Sequence, residues 1–355
     1  MPLPFILAGA AVVAGLTGAA KGVSAISKNS DAKEMMASAQ RGYERAKGRL
    51  EEQRNDTTKS LEKLGTIKVD VWAKEMNDFV QSFNSFKNVR MEGGPELNER
   101  LKLKIQNPQN LKNMEVATVK AAEIAQAGVA SLGAGALAGI ASYGGAMMFA
   151  SASTGTAIAA LSGAAATNAT LAWFGGGALT AGGLGMAGGS MVLGGIVAGP
   201  ALAVAGFIMD AKADENLANA RKVRAEANDA IEKMDTMSDF MEKVSEISDN
   251  YSEFIAKFRV PFRRILNNMI AIEMREKENL EKNRSFFSKL FGTKEKVDFD
   301  KLSVDDQKTL HEAWLMAQVL YTVLATPILT QKGDLDSSAE TALQDAQTSC
   351  PMLSQ

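Results

Sequence analysis

The sequence predicts an all-α protein in which long amphipathic helices form an elongated bundle or coiled coil that carries an inserted hydrophobic hairpin region. Two observations lead to this prediction. Apolar residues recur every three or four positions through the charged parts of the chain, and no segment alternates apolar and polar residues as half-buried strands do. Residues 124–209 contain no Asp, Glu, Lys, Arg or His, and 20 of the 31 glycines lie there. We call residues 124–209 the uncharged segment.

Residues 1–27 are predicted to form an apolar N-terminal helix, long enough at about 20 residues to span a bilayer or to lie in one. A buried hairpin arm is the alternative. No Lys or Arg precedes the apolar run, which argues against a cleaved secretory signal. Small residues four apart would let this helix pack closely against another: Ala10, Ala14, Gly18 and Gly22.

Residues 28–110 are predicted to form an amphipathic helical region. Its first helix is rich in Ala, Glu, Lys and Arg, and Gly65 is the expected stop. A second helix places apolar residues on one broad face over residues 71–86. Pro95 and Pro108 are expected to break the helical pattern, because a proline disfavours helical geometry in the residue before it.

Residues 111–209 are predicted to form a helix that leads into the Gly/Ala-rich hairpin region. The uncharged segment is 86 residues long, enough for as many as four spans of about 20 residues each. Small residues four apart share a helix face and let two backbones approach in lipid. The rows predicted for membrane insertion and helix packing are Gly135 with Gly139, Gly195 with Gly199, and Gly177, Ala181, Gly185 and Gly189.

The pattern Gly183-x-Gly185-x-x-Gly188 within the uncharged segment also matches a dinucleotide-binding turn. Such a turn needs a preceding strand and a following helix, whereas the residues before Gly183 are too rich in glycine for a central strand. Asp210 lies at about the distance expected for a ribose-binding acid, and this keeps a nucleotide-binding enzyme as a third alternative.

Residues 210–331 are predicted to form long coiled-coil or bundle helices, interrupted at Pro261. Ser303 is the expected cap of the last of these helices. Residues 332–355 are predicted to be a polar, mobile tail with a short helix at 338–346. The expected buried face of the long helix is formed by Ala220, Val223, Ala227, Ile231, Met234, Met237, Met241, Val244, Ile247, Tyr251, Phe254 and Phe258.

Aromatic and basic residues mix in the stretch 285–297, a composition suited to the surface of an anionic membrane. A loop that buries its aromatic rings in the bundle is the alternative. The residues proposed for membrane-surface contact are Phe286, Phe287, Lys289 and Phe291.

The composition favours neither catalysis nor nucleic-acid binding. Lys and Arg number 39 against 41 Asp and Glu, so no overall positive field attracts nucleic acid. His311 is the only histidine, and no Cys or carboxylate grouping has metal-ligand spacing. We expect no enzyme activity, no cofactor and no metal. Cys350 is the only cysteine, which is consistent with a reducing compartment.

The arrangement of charged helices around an uncharged Gly/Ala hairpin resembles α-helical pore-forming toxins and apolipoprotein L proteins, and the hairpin regions of dynamin-related membrane remodellers. The resemblance is architectural, covers residues 111–258 best and transfers no residue-level motif. The block at 173–207, "WFGGGALTAGGLGMAGGSMVLGGIVAGPALAVAGF", is similar to a glycine-rich signature of uncharacterised bacterial proteins. The resemblance implies a soluble form whose hydrophobic part inserts into a membrane and oligomerises.

The sequence therefore predicts a bacterial membrane-inserting protein that forms pores or perturbs membranes. Its expected partners are a lipid bilayer and either further copies of itself or a helical partner protein. The alternative is an anchored scaffold whose hairpin holds it on the membrane without forming a pore. We expect it in the cytoplasm, at the inner membrane, or both, and the sequence leaves secretion open. Similar numbers of Lys and Arg flank the uncharged segment, which favours both of its ends on one side of the membrane.

Overall fold

The computed structural model describes residues 19–89, 109–128, 134–143, 213–282, 296–330 and 334–349. Helices make up 90% of the described part of the chain and strands 3%, so the predicted all-α class is confirmed. The elongated bundle or coiled coil stays a prediction, as does the division of the chain into five regions. Contacts divide the chain into two compact units, the smaller of Met1–Leu50 with Ile196–Thr236 and the larger of Glu51–Gly195 with Met237–Gln355.

Seven α-helices and several short elements make up the described residues. Helix α1 (Ala19–Val71) continues into a π-helical turn (Trp72–Met76) and α2 (Asn77–Phe83). Next come strand β1 (Phe86–Lys87), α3 (Gln109–Ala127), α4 (Ala134–Tyr143) and α5 (Ala213–Lys282). The last elements are strand β2 (Val297–Asp298), a 3-10 turn (Phe299–Lys301), α6 (Val304–Ala325) and α7 (Ser337–Ser349).

Helices α1 and α5 run in the same direction within each unit. In the smaller unit, a Cβ built on Gly42 lies 3.2 Å from Ile231 Cδ1, and Arg49 pairs with Asp235 at 2.5 Å. In the larger unit, Thr57 Oγ1 donates to the carbonyl oxygen of Met241 at 2.9 Å, and Arg259 donates to Asp70 at 2.8 Å. In each unit, the second contact lies further along both helices than the first. Most of the predicted α5 face is buried, while Ile231 and Met237 are half-buried.

Two helix boundaries expected from the sequence are wrong. Pro261 lies inside α5, which continues to Lys282. A proline inside a helix costs about 3 kcal/mol. Phe258, Phe262 and Leu266 are buried on either side of it, and we attribute the continuity of the helix to this burial. Gly65 does not end the first helix either, because α1 runs through it to Val71.

The C-terminal region contains the short helix expected at 338–346, which extends over Ser337–Ser349 as α7. Its residues Ala339, Leu343 and Ala346 are buried, so this part of the expected mobile tail is packed. Ser303 caps α6 as predicted, since its side chain accepts a hydrogen bond from the Asp306 N–H.

Aromatic rings form the centre of the larger unit. Phe83 stacks on Trp314 with ring centroids 5.1 Å apart, and Phe79 stacks on Phe83 at 5.3 Å. Strands β1 and β2 add a parallel two-residue pair beside this core, with Phe86 opposite Val297. The core therefore joins the end of α1 and α2 to α5 and α6.

Candidate functional site at the start of the uncharged segment

The uncharged segment begins inside α3, at Ile124, and the helix ends three residues later. Helix α3 ends at Ala127, and Gly128 follows with a φ of +88°. Its N–H donates to the carbonyl oxygen of Ala125 at 3.1 Å. A left-handed residue directly after a helix is a common way of ending it, and glycine adopts this φ without strain. Gly128 thus ends α3.

Helix α4, which lies wholly in the uncharged segment, packs against α1 in the larger unit. Leu137 and Ile140 are buried in the core. A Cβ built on Gly65 of α1 would lie only 2.1 Å from the carbonyl oxygen of Leu137. Glycine in the middle of a helix costs about 1 kcal/mol relative to alanine. Here it is required, because any side chain at position 65 would push α4 away from α1.

The C-terminal end of α4 is bonded to the chain that follows α6. The last four carbonyl groups of a helix have no partner within that helix. The carbonyl oxygen of Ser142 accepts hydrogen bonds from the N–H groups of Ile328 and Leu329, at 2.6 and 3.0 Å. Ser142 is buried, so these bonds satisfy a group that water does not reach.

Lys68 of α1 bonds a second free carbonyl of α4. Its Nζ lies 3.3 Å from the carbonyl oxygen of Ala141 and 3.3 Å from that of Thr326, at the end of α6. Its side chain is 0% exposed, and its Nζ lies 5.5 Å from the centre of the Tyr251 ring. Removal from water disfavours the charged form and lowers the pKa of Lys68 to about 7. Lys68 thus joins the ends of two helices.

The ring of Tyr251, in α5, lies beside Lys68, and a hydrogen bond from its hydroxyl group holds it in place. Its hydroxyl donates to the carbonyl oxygen of Ala339 in α7 at 2.7 Å. Burial, together with the charge of Asp336, raises the pKa of the Tyr251 phenol well above its usual range. The phenol therefore stays neutral and gives Lys68 no ionic partner.

A second buried polar cluster surrounds Glu75, whose side chain is 3% exposed. Arg259 donates to Glu75 Oε1 from Nε at 2.9 Å and from Nη2 at 2.7 Å, and Arg263 binds the same oxygen. Arg259 also donates to Asp70 at 2.8 Å. Burial alone would raise the pKa of Asp70, but hydrogen bonds from Lys74 and Arg259 outweigh it and lower that pKa. This cluster fixes α5 against the π-helical turn.

Most of the residues singled out in the sequence lie outside the described residues. Gly135 and Gly139 lie on α4, where Gly139 is buried, and Gly22 lies in α1. Their roles in packing and insertion stay predictions. Outside the described residues are Ala10, Ala14, Gly18, Gly177, Ala181, Gly185, Gly189, Gly195, Gly199, Phe286, Phe287, Lys289 and Phe291.

The roles of Gly65 and Lys68 in holding α4 were not predicted from the sequence. A signal for Lys68 was present, because it follows Leu61 and Leu64 and precedes Trp72 at helical spacing and so occupies a core position. A lysine in such a row needs polar partners inside the protein. Which carbonyl groups meet it depends on contacts with α4 and α6 that spacing along α1 does not specify.

Within the described ranges, no helix combines the length and the apolar character needed to cross a membrane. The same residues contain no group of three or more His, Cys, Asp or Glu side chains that could hold a metal ion. Comparison of the chain with protein-family models, curated proteins and solved structures finds no match.

Proposed function

We propose that this protein inserts its uncharged segment into a lipid bilayer and forms a pore or perturbs the membrane, while the charged helices mediate oligomerisation. The observation that carries the proposal is the 86-residue run without a charged residue, in which small residues recur four apart. So many glycines would destabilise helices in water, whereas in lipid they permit the close backbone packing that associates helices.

The packing of α4 supports the proposal, because a helix of the uncharged segment lies against the helical core. Leu137 and Ile140 are buried, so this stretch hides its apolar side chains from water. Gly65 shows that this protein already uses a glycine to bring an uncharged helix into backbone contact with another helix. The glycine rows further along the segment have the spacing for the same kind of contact.

Flotation with anionic vesicles tests membrane insertion. Val192→Arg adds a charge to the uncharged segment, and an arginine at the centre of a bilayer costs about 2.5 to 3.5 kcal/mol on insertion scales. We expect the natural protein to float with the vesicles and Val192→Arg to float much less. Val304→Arg is the matched control, because Val304 is 67% exposed on the larger unit. A natural protein that stays off vesicles of every composition would contradict the proposal.

Dye release from the same vesicles distinguishes a pore from an anchor. A pore-forming or membrane-perturbing protein releases the dye, and release should fall with Val192→Arg in parallel with flotation. Flotation without release would contradict the pore and would favour the anchored scaffold.

A further inference from the structure

Lys68 is buried, and among the described residues no acidic side chain forms an ion pair with it. Helix α4 has no charged residue, and α6 has none after Glu312. Tyr251 faces Lys68 from α5 and is neutral, and Asp336 lies close enough to Tyr251 to affect its titration. On α1 itself, Asp70 is bonded to Lys74 and Arg259. Burial is the one cause that shifts the titration of Lys68.

The number of donors fits the neutral amine better than the ammonium. A neutral amine has two N–H groups, and two carbonyl oxygens accept from Lys68, those of Ala141 and Thr326. Protonation adds a third N–H and a full charge at a fully buried position. An unpaired buried charge is costly, and the Tyr251 ring at 5.5 Å compensates only a small part of that cost.

Opening the contact between α4 and α1 would relieve this cost, because water would then reach the ammonium group. We propose that protonation of Lys68, as the pH falls towards neutrality, loosens the docking of α4 on α1 and on the end of α6, and so frees this part of the uncharged segment for the membrane. The loosening concerns the protein in water, and only the last step rests on the proposed insertion.

The pKa of Lys68 fixes the direction and the pH range. Buried Lys68 has a pKa of about 7, against 10.5 for the ordinary side chain. Between these values the open state binds a proton that the docked state does not, so docking weakens as the pH falls. Below about 7 both states are protonated and the effect levels off. From pH 8 to pH 6 the open population should rise about tenfold.

Hydrogen exchange of the full-length protein without lipid tests the loosening. The amides of Ile328 and Leu329 report on docking, since both donate to Ser142 of α4. After correction for intrinsic exchange rates, we expect their open fraction to be about tenfold larger at pH 6 than at pH 8. Lys68→Met, which cannot be protonated, should abolish this difference. Equal open fractions at both pH values in the natural protein would overturn the proposal.

A second measurement keeps the proposal testable if Lys68→Met does not fold. In the natural protein with isotopically labelled lysines, one side-chain signal should titrate near pH 7. If no lysine signal titrates near pH 7, the proposal is wrong.

Flotation with anionic vesicles at two pH values distinguishes failure of this proposal from failure of the proposed function. We expect flotation to be greater at pH 6 than at pH 8, and Lys68→Met to remove the difference. Flotation that does not change with pH, beside exchange that does, would contradict the link from α4 docking to insertion. Absence of flotation at both pH values would contradict the proposed function itself, while the exchange result would still decide whether Lys68 controls docking.

Discussion

Lys68 and Glu75 lie seven residues apart and are both buried in the larger unit, yet different kinds of groups surround the two side chains. Glu75 receives hydrogen bonds from two arginines of α5, and Arg259 extends the cluster to Asp70. Lys68 meets two carbonyl oxygens and an aromatic ring. Ion pairs compensate the charge of Glu75, whereas Lys68 has hydrogen bonds and an aromatic ring but no ion pair among the described residues.

This difference decides which contact responds to pH. Arginine stays protonated throughout the physiological range, so the cluster around Glu75 keeps its cations and holds α5 at any such pH. Lys68 lies where its protonation state changes near neutrality, and it holds α4. Helix α4, which lies wholly in the uncharged segment, is therefore attached through the more sensitive of the two sites.

Removing a cation from the Glu75 cluster should have the largest effect. Arg259→Met leaves Glu75 buried with Arg263 as its remaining arginine partner among the described residues, and breaking a buried ion pair on one side typically costs about 3 to 5 kcal/mol. Urea denaturation should show a loss of this size. Adding Glu75→Gln to Arg259→Met should recover part of the loss, and a double variant as unstable as the single one would contradict our interpretation of the cluster.

A side chain at Gly65 should disturb the Lys68 site and leave the Glu75 cluster intact. In Gly65→Ala the new Cβ would overlap the Leu137 carbonyl, so we expect a loss of about 2 to 3 kcal/mol and faster hydrogen exchange across α4. Gly48→Ala is the matched control within the same helix, because a Cβ there meets nothing within 4 Å. It should stabilise α1 by about 0.5 to 1 kcal/mol, as alanine is the better helix former. Equal effects of the two variants would contradict close packing at Gly65.

The stability of the larger unit should rise with pH above neutrality. The pKa of Lys68 is lowered from 10.5 to about 7, so between these values the unfolded chain binds a proton that the folded chain does not. From pH 7 to pH 9 this contributes about 2 kcal/mol of stability, and below pH 7 the contribution no longer changes. Urea denaturation at several pH values measures the slope. The Lys68→Met variant should lack the contribution of Lys68 to this slope. An unchanged slope in that variant would assign the pH dependence to other groups.

Tyr251→Phe should have the smallest effect on stability. It should distinguish the role of the ring from that of the hydroxyl group. The variant loses the hydrogen bond to Ala339, worth about 1 kcal/mol, but keeps an aromatic face beside Lys68. Exchange in α7 should become faster, while the pH response of α4 should persist. If the pH response disappears with the hydroxyl, Tyr251 rather than Lys68 controls docking.

Helical periodicity predicted the class of the fold and most of the buried face of α5, because a residue's side of a helix follows from its position along the chain. The capping pattern of Ser303 with Asp306 predicted the start of α6, and a short helix was predicted where α7 lies. The breaks predicted from the local preferences of Pro261 and Gly65 were wrong, because contacts with distant parts of the chain override those preferences. At Gly65 the distant contact is the backbone of α4.

By itself, the sequence determined that this is a protein of long helices with one 86-residue stretch free of charge, since both properties are written in the order of its residues. Only the tertiary structure decided what surrounds the polar groups inside it. Both Lys68 and Glu75 are charged residues within apolar helical patterns, and nothing local distinguishes their surroundings. Arginines of α5 reach one, whereas the carbonyl ends of α4 and α6 reach the other, because partners distant along the chain meet only when the helices pack.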